Sequence, residues 1–431
     1  MSESEAARLI FDHSLSRSRV GRTGVELEWL VLPVDDPTRR ATHEELAFLA
    51  RSFAGPLPGG SLVSWEPGGQ VELSSAPHDS LRDCVEAVAG DLAVLRGRTS
   101  AAGMRLLGAG LDARPPLFTV ALPRYQALRR HYAHFGNGDS LLCNTASVQV
   151  NVEAGDGSDG WRGRSRRWSI ANCLGPVLMA MFANSPVARL PGRPEGPVLS
   201  GRQLLRLQVD PFRSGPLPCG GDPRGTWTRY ALNTSVTAIR SAPDAGSRPA
   251  PGSPFRCPAP AGSGGVEQAE VWGPAPAGLS LRRWLRGSGP QPVHRDDVFH
   301  HLKSLVAPVR ACGHLELRMI DAQGADDWVV PVAVVAALMD DAATSDAAAS
   351  LIASASLAPT RQDWLDAALR GMTDPVVAGL ARTVMELALS GLRRLGASAA
   401  VTGTVERFAD NHTFRGLAPA HLRWPHRTAV A

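Results

Sequence analysis

Four short stretches of the chain alternate polar and apolar residues with a period of two, as strands with one buried face do. Residues 21–33 read as a strand in which Glu26 and Glu28 share one face while Val25, Leu27 and Trp29 share the other. A second strand around 70–75 sets Gln70, Glu72 and Ser74 against Val71 and Leu73. A third, over 145–153, opposes Thr145, Ser147, Gln149, Asn151 and Glu153 to Ala146, Val148, Val150 and Val152. In the fourth, His314 to Met319, Glu316 and Arg318 oppose Leu315, Leu317 and Met319.

Elsewhere the period lengthens. Leu81, Val85, Val88, Leu92 and Leu95 recur at helical spacing and predict a helix over 80–98. A second helix is predicted over 168–183, closed by Asn184-Ser185-Pro186. The Ala- and Leu-rich pattern of 329–400 predicts a helical C-terminal portion running over 329–431. Residues 241–265, rich in Ser, Ala, Pro and Gly, read as a mobile surface loop. Because 226–239 and 279–320 resume the hydrophobic pattern on either side, the loop is an insertion, and 1–431 reads as one domain without internal repeats.

Composition narrows the function. The 431 residues are 44% hydrophobic, which is enough to bury a large core, and the net charge of +4 gives no bulk attraction to nucleic acid or membrane. Lys303 is the one lysine and follows Leu302, so no phosphate-binding Gly-Lys-Ser/Thr loop exists. The cysteines (84, 143, 173, 219, 257 and 312) include no Cys-x-x-Cys pair, which argues against a zinc ribbon or disulfide framework. The first residues are acidic, unlike a signal peptide, and the apolar runs 174–183 and 329–339 fall short of the ~20 residues of a membrane span. A cytoplasmic protein is the expectation. The basic run Arg162 to Arg167 reads as a solvated loop entering a helix, with no nucleic-acid partner implied. His131, His134, His300 and His301 lack the spacing of a zinc helix.

Each alternating segment alone fits a half-buried antiparallel sheet with a solvated polar face. Acidic residues are disfavoured in strands, however, and Glu26 and Glu28 lie about 6.5 Å apart along theirs. If Glu72 and Glu316 join them on one face, the carboxylates repel one another until a hard divalent cation such as Mg²⁺ intervenes. Carboxylates around Mg²⁺ beside an arginine, without a phosphate loop, point to phosphoryl transfer on a sheet.

Five segments then carry a resemblance: Gly24 to Glu28, Trp65 to Ser74, Cys143 to Asn151, Phe182 to Pro186, and His314 to Arg318. Their order and the Glu-Pro-Gly-Gly-Gln-x-Glu-Leu-Ser run resemble the glutamate–cysteine ligase family, in particular its actinobacterial branch that feeds ergothioneine synthesis. The resemblance implies an α+β fold: a glutamine-synthetase-like, antiparallel, saddle-shaped sheet with helices on its outer face. It implies ATP and Mg²⁺ as cofactors, glutamate and cysteine as substrates, and a γ-glutamyl phosphate intermediate. Among the residues, it implies Glu26, Glu28, Glu72, Glu316 and Gln149 as metal ligands, with Gln149 standing where other branches place His. Arg318 would hold the transferring phosphoryl group beside Glu316, and Asn184 would also serve the nucleotide. Substrate contacts are implied for Glu66, Gln70, Asn144, Thr145, Arg202, Arg213, Trp227 and Tyr230; the family's Asp near Tyr-Ala-Leu is Asn233 here. A ligase with another amine acceptor and a non-catalytic amino-acid-binding module are the competing readings. The oligomeric state is left open, with a monomer allowed.

Overall fold

The computed structural model describes residues 1–16, 20–120, 122–187, 198–241 and 271–423. The 241–265 segment, read above as a mobile loop, therefore lies outside the described residues but for Ser241.

Nine strands are described: β1 (Thr23–Pro33), β2 (Leu62–Trp65), β3 (Val71–Ser74), β4 (Met104–Leu107), β5 (Ser147–Val152), β6 (Ala238–Ser241), β7 (Val271–Pro274), β8 (Val309–Ala311) and β9 (Leu315–Asp321). Seven form one sheet in the order β2-β3-β1-β5-β9-β8, with β4 pairing the far end of β1. Every described pairing in it is antiparallel. The four alternating segments are its central strands. Strands β6 and β7 make a separate antiparallel pair flanking residues 242–270.

Alternation decides which face is covered. Val25, Leu27, Trp29, Val71, Leu73, Val148, Val150, Val152, Leu315, Leu317 and Met319 are all buried, within one core that also takes in the helix Val329–Asp340. That helix is apolar all round and packs on β5, while Gly175–Met181 packs on β9 and Leu81–Ala101 on β1 and β4. The predicted helix over 168–183 is instead two helices, Arg164–Cys173 and Gly175–Met181, meeting at Leu174. Pro176 explains the break: it has no N–H for the ladder and its ring disfavours helical backbone before it.

The C-terminal portion is helical as far as it is described. One of its helices, Pro375–Arg394, is long and apolar enough to cross a membrane by length and composition, a length the apolar runs did not reveal. Its Ala381, Val384, Met385, Ala388 and Leu392 are buried in the protein core. The basic run 162–167 is also more structural than its sequence implied. Arg167 is fully buried against Asp340 at 2.9 Å and the Glu153 carbonyl at 2.8 Å, and Arg166 pairs with Asp346 at 2.8 Å.

Candidate active site

Register across the uncovered face sets three polar rungs. Ser64 on β2 faces Glu72 on β3, which faces Glu28 on β1. One step along, Ser74, Glu26 and Gln149 are in line. A further step aligns Gly24, Asn151, Glu316 and Arg310 on β1, β5, β9 and β8. Residues two apart on a strand point the same way, so Glu26, Glu28, Glu72 and Glu316 converge on one face, as the alternation predicted.

Glu66 arrives from the turn between β2 and β3. Gly69 N–H donates to the Glu66 carbonyl at 2.9 Å, and Glu66 N–H donates to the Gln70 carbonyl at 2.9 Å. Gly69 adopts φ +84°, where a side chain is strained, and a Cβ on Gly68 would lie 2.1 Å from the Cys143 carbonyl oxygen. The two glycines thus fix the turn that presents Glu66. Gln70 serves the same turn: its Oε1 accepts from Gly68 N–H at 2.9 Å, and its Nε2 donates to the Thr145 carbonyl at 2.9 Å.

The position of Arg318 depends on a bulge. Pairing between β5 and β9 slips between Val148 and Val150, so Arg318 and Met319 together oppose Gln149. A bulge re-aims side chains and strips carbonyls of ladder partners. Here the helix Gly201–Gln208 supplies replacements. Arg202 donates to the carbonyls of Arg318 at 3.0 Å and Ile320 at 3.2 Å, and Gln203 donates to that of Met319 at 2.8 Å. The Arg318 guanidinium then reaches Glu316 and Gln149, while its buried Nε has no partner among the described residues.

Charge is unevenly shared over this face. Glu316 is 1% exposed, and burial alone would raise its pKa. Arg310, whose Nε donates at 2.9 Å, and Arg318 outweigh burial and hold it at about 2. Glu26 is pushed up to about 8 by burial, then by Glu316 and Glu72. Glu66 is likewise raised to about 8 by burial, Glu72 and Glu28. Burial and Glu28 raise Glu72, against the hydroxyls of Ser64 at 2.7 Å and Ser74 at 3.2 Å. Glu28 accepts from Gln149 Nε2 at 2.8 Å, and Glu26 from Asn151 Nδ2 at 3.3 Å. A set of crowded carboxylate oxygens in need of positive charge fits hard divalent cations such as Mg²⁺.

The other expected site residues divide. Gln149 touches both Glu28 and Arg318, so its amide is already engaged on each side. Arg202 and Arg213 were expected to clamp substrate, but both are buried and committed to the fold. Arg213 bonds Asp210 at 3.0 Å, the Ser304 carbonyl at 3.0 Å and the Ser235 carbonyl. Tyr230 donates its hydroxyl to the Arg213 carbonyl and packs at a tilt against fully buried Trp227. Asn144 bonds the Asp112 and Arg114 carbonyls, Thr145 that of Leu141, and Asn184 those of Gly108 and Ala322. His301 is buried against the Ala231 carbonyl at 2.9 Å.

Two arginines went unread in the sequence. Arg310 lies on a strand of only three residues, too short for a periodic signal. Arg206 is half-buried beside Arg202 and Arg318, with its charge disfavoured by burial and by both of them, and it makes no ion pair among the described residues.

An antiparallel sheet whose polar face gathers carboxylates beside the Arg318 guanidinium fits the class of nucleotide-dependent ligases, and comparison bears out the ligase family. The family model for Glutamate-cysteine ligase family 2 (GCS2) matches residues 22–409, and the chain belongs to that family. It is 34% identical over 393 residues to the glutamate–cysteine ligase EgtA of Mycolicibacterium smegmatis, covering 90% of this chain and 84% of that protein. It is 33% identical over 423 residues to EgtA of Mycobacterium tuberculosis, covering 97% and 88%. In fold it is similar to the Francisella tularensis glutamate–cysteine ligase solved with AMP, with TM-score 0.50 and 11% identity over 96% of this chain and 86% of that one. The glutamine-synthetase-like antiparallel sheet with helices expected from the sequence is thus the fold observed.

Proposed function

We propose that the chain is an ATP-dependent ligase that joins the γ-carboxylate of L-glutamate to the amine of L-cysteine, supplying γ-glutamylcysteine to ergothioneine synthesis. The observation that carries this reading is the convergence of Glu26, Glu28, Glu66, Glu72 and Glu316 on one face with Arg318. Membership in the ligase family and similarity to two EgtA ligases over most of the chain support the choice of substrates.

In this mechanism Glu26, Glu28 and Glu72, with Glu316 at their edge, would hold magnesium, whose charge would offset that of the nucleotide phosphates. Arg318 faces the transferring group. Glu316 and the Gln149 carbonyl oxygen orient its guanidinium, so its charge is already in place when charge develops on the phosphoryl oxygens. Glu66 sits at the turn, placed either to bind metal or to accept from the ammonium group of an amino-acid substrate. The amine of the second substrate then displaces phosphate from the activated γ-carboxyl group, giving the amide.

The test is phosphate release by the purified chain across a panel of amines. Release that requires glutamate, cysteine and Mg²⁺ together is expected. Release with another amine in preference to cysteine would keep the chemistry and change the acceptor, and ligand binding with no ATP consumption would replace the enzyme by a binding module.

A further inference from the structure

The hairpin between β8 and β9 sets two ligand groups that the mechanism does not use, Cys312 and His314, beside Glu316, which it does. Its loop is Cys312-Gly313-His314, and Glu316 follows on β9. Cys312 Sγ lies 3.4 Å from His314 Nε2 and 3.5 Å from Glu316 Oε2. All three ligand atoms fall within 4.8 Å of one another.

These separations have a geometric meaning. A tetrahedral Zn²⁺ bound at about 2.3 Å to sulfur and about 2.0 Å to nitrogen or oxygen holds the ligand atoms about 3.5 Å apart. The two edges that meet at Cys312 Sγ already have that length, 3.4 and 3.5 Å, and the third lies within 4.8 Å. The hairpin is also held firmly: Gly313 adopts φ +88°, its N–H donates to the Ser14 carbonyl at 2.8 Å, and Ser16 N–H donates back to the Gly313 carbonyl at 3.3 Å. Cys312 N–H closes the loop on the His314 carbonyl at 3.1 Å. His314 Nε2 also lies 3.2 Å from Asn151 Oδ1, close enough for the Asn151 side chain or a water to complete the shell.

We propose that Cys312, His314 and Glu316 form a binding site for a thiophilic divalent cation such as Zn²⁺, which differs from the all-oxygen set at Glu26, Glu28 and Glu72 in its sulfur and nitrogen donors and borrows Glu316 from that set's edge. A thiolate and an imidazole select a softer metal than carboxylates do. Occupancy draws Glu316 Oε2 away from Arg310 and so loosens the partner that orients Arg318. Zinc at this site therefore inhibits the ligase. That consequence rests on the proposed function, whereas the binding does not.

Cobalt reports the site directly, because a thiolate ligand gives Co²⁺ an intense sulfur-to-metal charge-transfer band. The full chain, stripped with chelator and titrated with CoCl₂, shows one such band, which Cys312→Ser abolishes. His314→Ala keeps the thiolate and weakens Co²⁺ binding by about tenfold or more, the usual range for a lost metal-site partner. Where phosphate release is measurable, zinc inhibition persists in excess Mg²⁺, is reversed by chelator, and is lost in Cys312→Ser relative to that variant without zinc. A charge-transfer band that survives in Cys312→Ser, or none in the parent chain, overturns the proposal. Neither result bears on whether the chain is a ligase.

Discussion

On β9, Glu316 is fully buried between Arg310 and Arg318 and keeps its charge down to about pH 2. Across β5, on β1, Glu26 is half-buried, accepts from the Asn151 amide, and is pushed up to about 8 by burial, Glu316 and Glu72 against the weaker pull of Arg310 and Arg318. Both are carboxylates on one face of one sheet. One half of that face is ion-paired to Arg310 and Arg318, whereas on the other half burial and neighbouring carboxylates outweigh the pull of Arg318 and Arg124 on Glu66 and of Arg318 on Glu72. The cation-poor half is built to take charge from a ligand, and the cation-rich half to hold a guanidinium still.

The comparison breaks most severely if Arg318 is removed. Arg318→Ala leaves the phosphoryl group without its guanidinium, and turnover falls by about a thousandfold, as when an arginine is lost from a phosphoryl-transfer site. Arg318→Lys recovers only part of this, since an ammonium cannot span Glu316 and substrate in one plane. Phosphate-release kinetics, with circular dichroism to confirm the fold, check both. Equal activity in parent and Arg318→Ala would remove the guanidinium from the mechanism.

A smaller effect tests what holds Arg318 in place. Gln203 never reaches the polar face; it donates to the Met319 carbonyl in the bulge. Gln203→Ala orphans a buried carbonyl, at about 1–3 kcal/mol of stability. We expect kcat to fall about tenfold, as a displaced catalytic group would cost. The Michaelis constant for glutamate should stay near the parent value, because the amide touches no substrate. Loss of stability with unchanged kcat would reduce Gln203 to a structural role.

These residues also mark the limits of reading a sequence. The acid face was legible because period-two alternation is local: Glu26, Glu28, Glu72 and Glu316 each declare their face through immediate neighbours. The Glu-Pro-Gly-Gly-Gln run was legible as a motif because it is contiguous, though the turn it makes was not read from it. The bulge at Arg318 was not, since it exists only as a mismatch with β5, and the carbonyls that Arg202 and Arg213 satisfy lie more than twenty residues away. An arginine that satisfies carbonyls and one that binds substrate look alike in sequence. Arg310 was hidden by the brevity of β8, and the break at Leu174 by a continuous apolar pattern over which Pro176 prevailed.

The mildest prediction sharpens the contrast through pH. Glu26 and Glu66 have folded-state values raised from 4.5 to about 8, so they bind protons more tightly in the folded protein than in the unfolded chain. Their contribution to stability is fully present below about pH 4.5 and is lost as pH rises through about 8. Glu316 has the opposite sign: its value falls from 4.5 to about 2, and its contribution is present above 4.5 and lost as pH drops through 2. Metal-free protein should therefore be most stable near pH 5, and its melting temperature should fall by a few degrees between pH 5 and pH 9. Magnesium added at pH 9 should restore much of that loss, since it binds the ionised carboxylates. Glu26→Gln should lessen the slope of the metal-free profile, because a neutral amide cannot charge while Glu66 still titrates, and turnover should fall about a hundredfold with one ligand gone. Scanning calorimetry of both proteins with and without Mg²⁺ measures this. A parent profile that is flat from pH 5 to 9 without metal would mean that the acid half of the face is already neutralised by the protein itself, and the contrast with Glu316 would disappear.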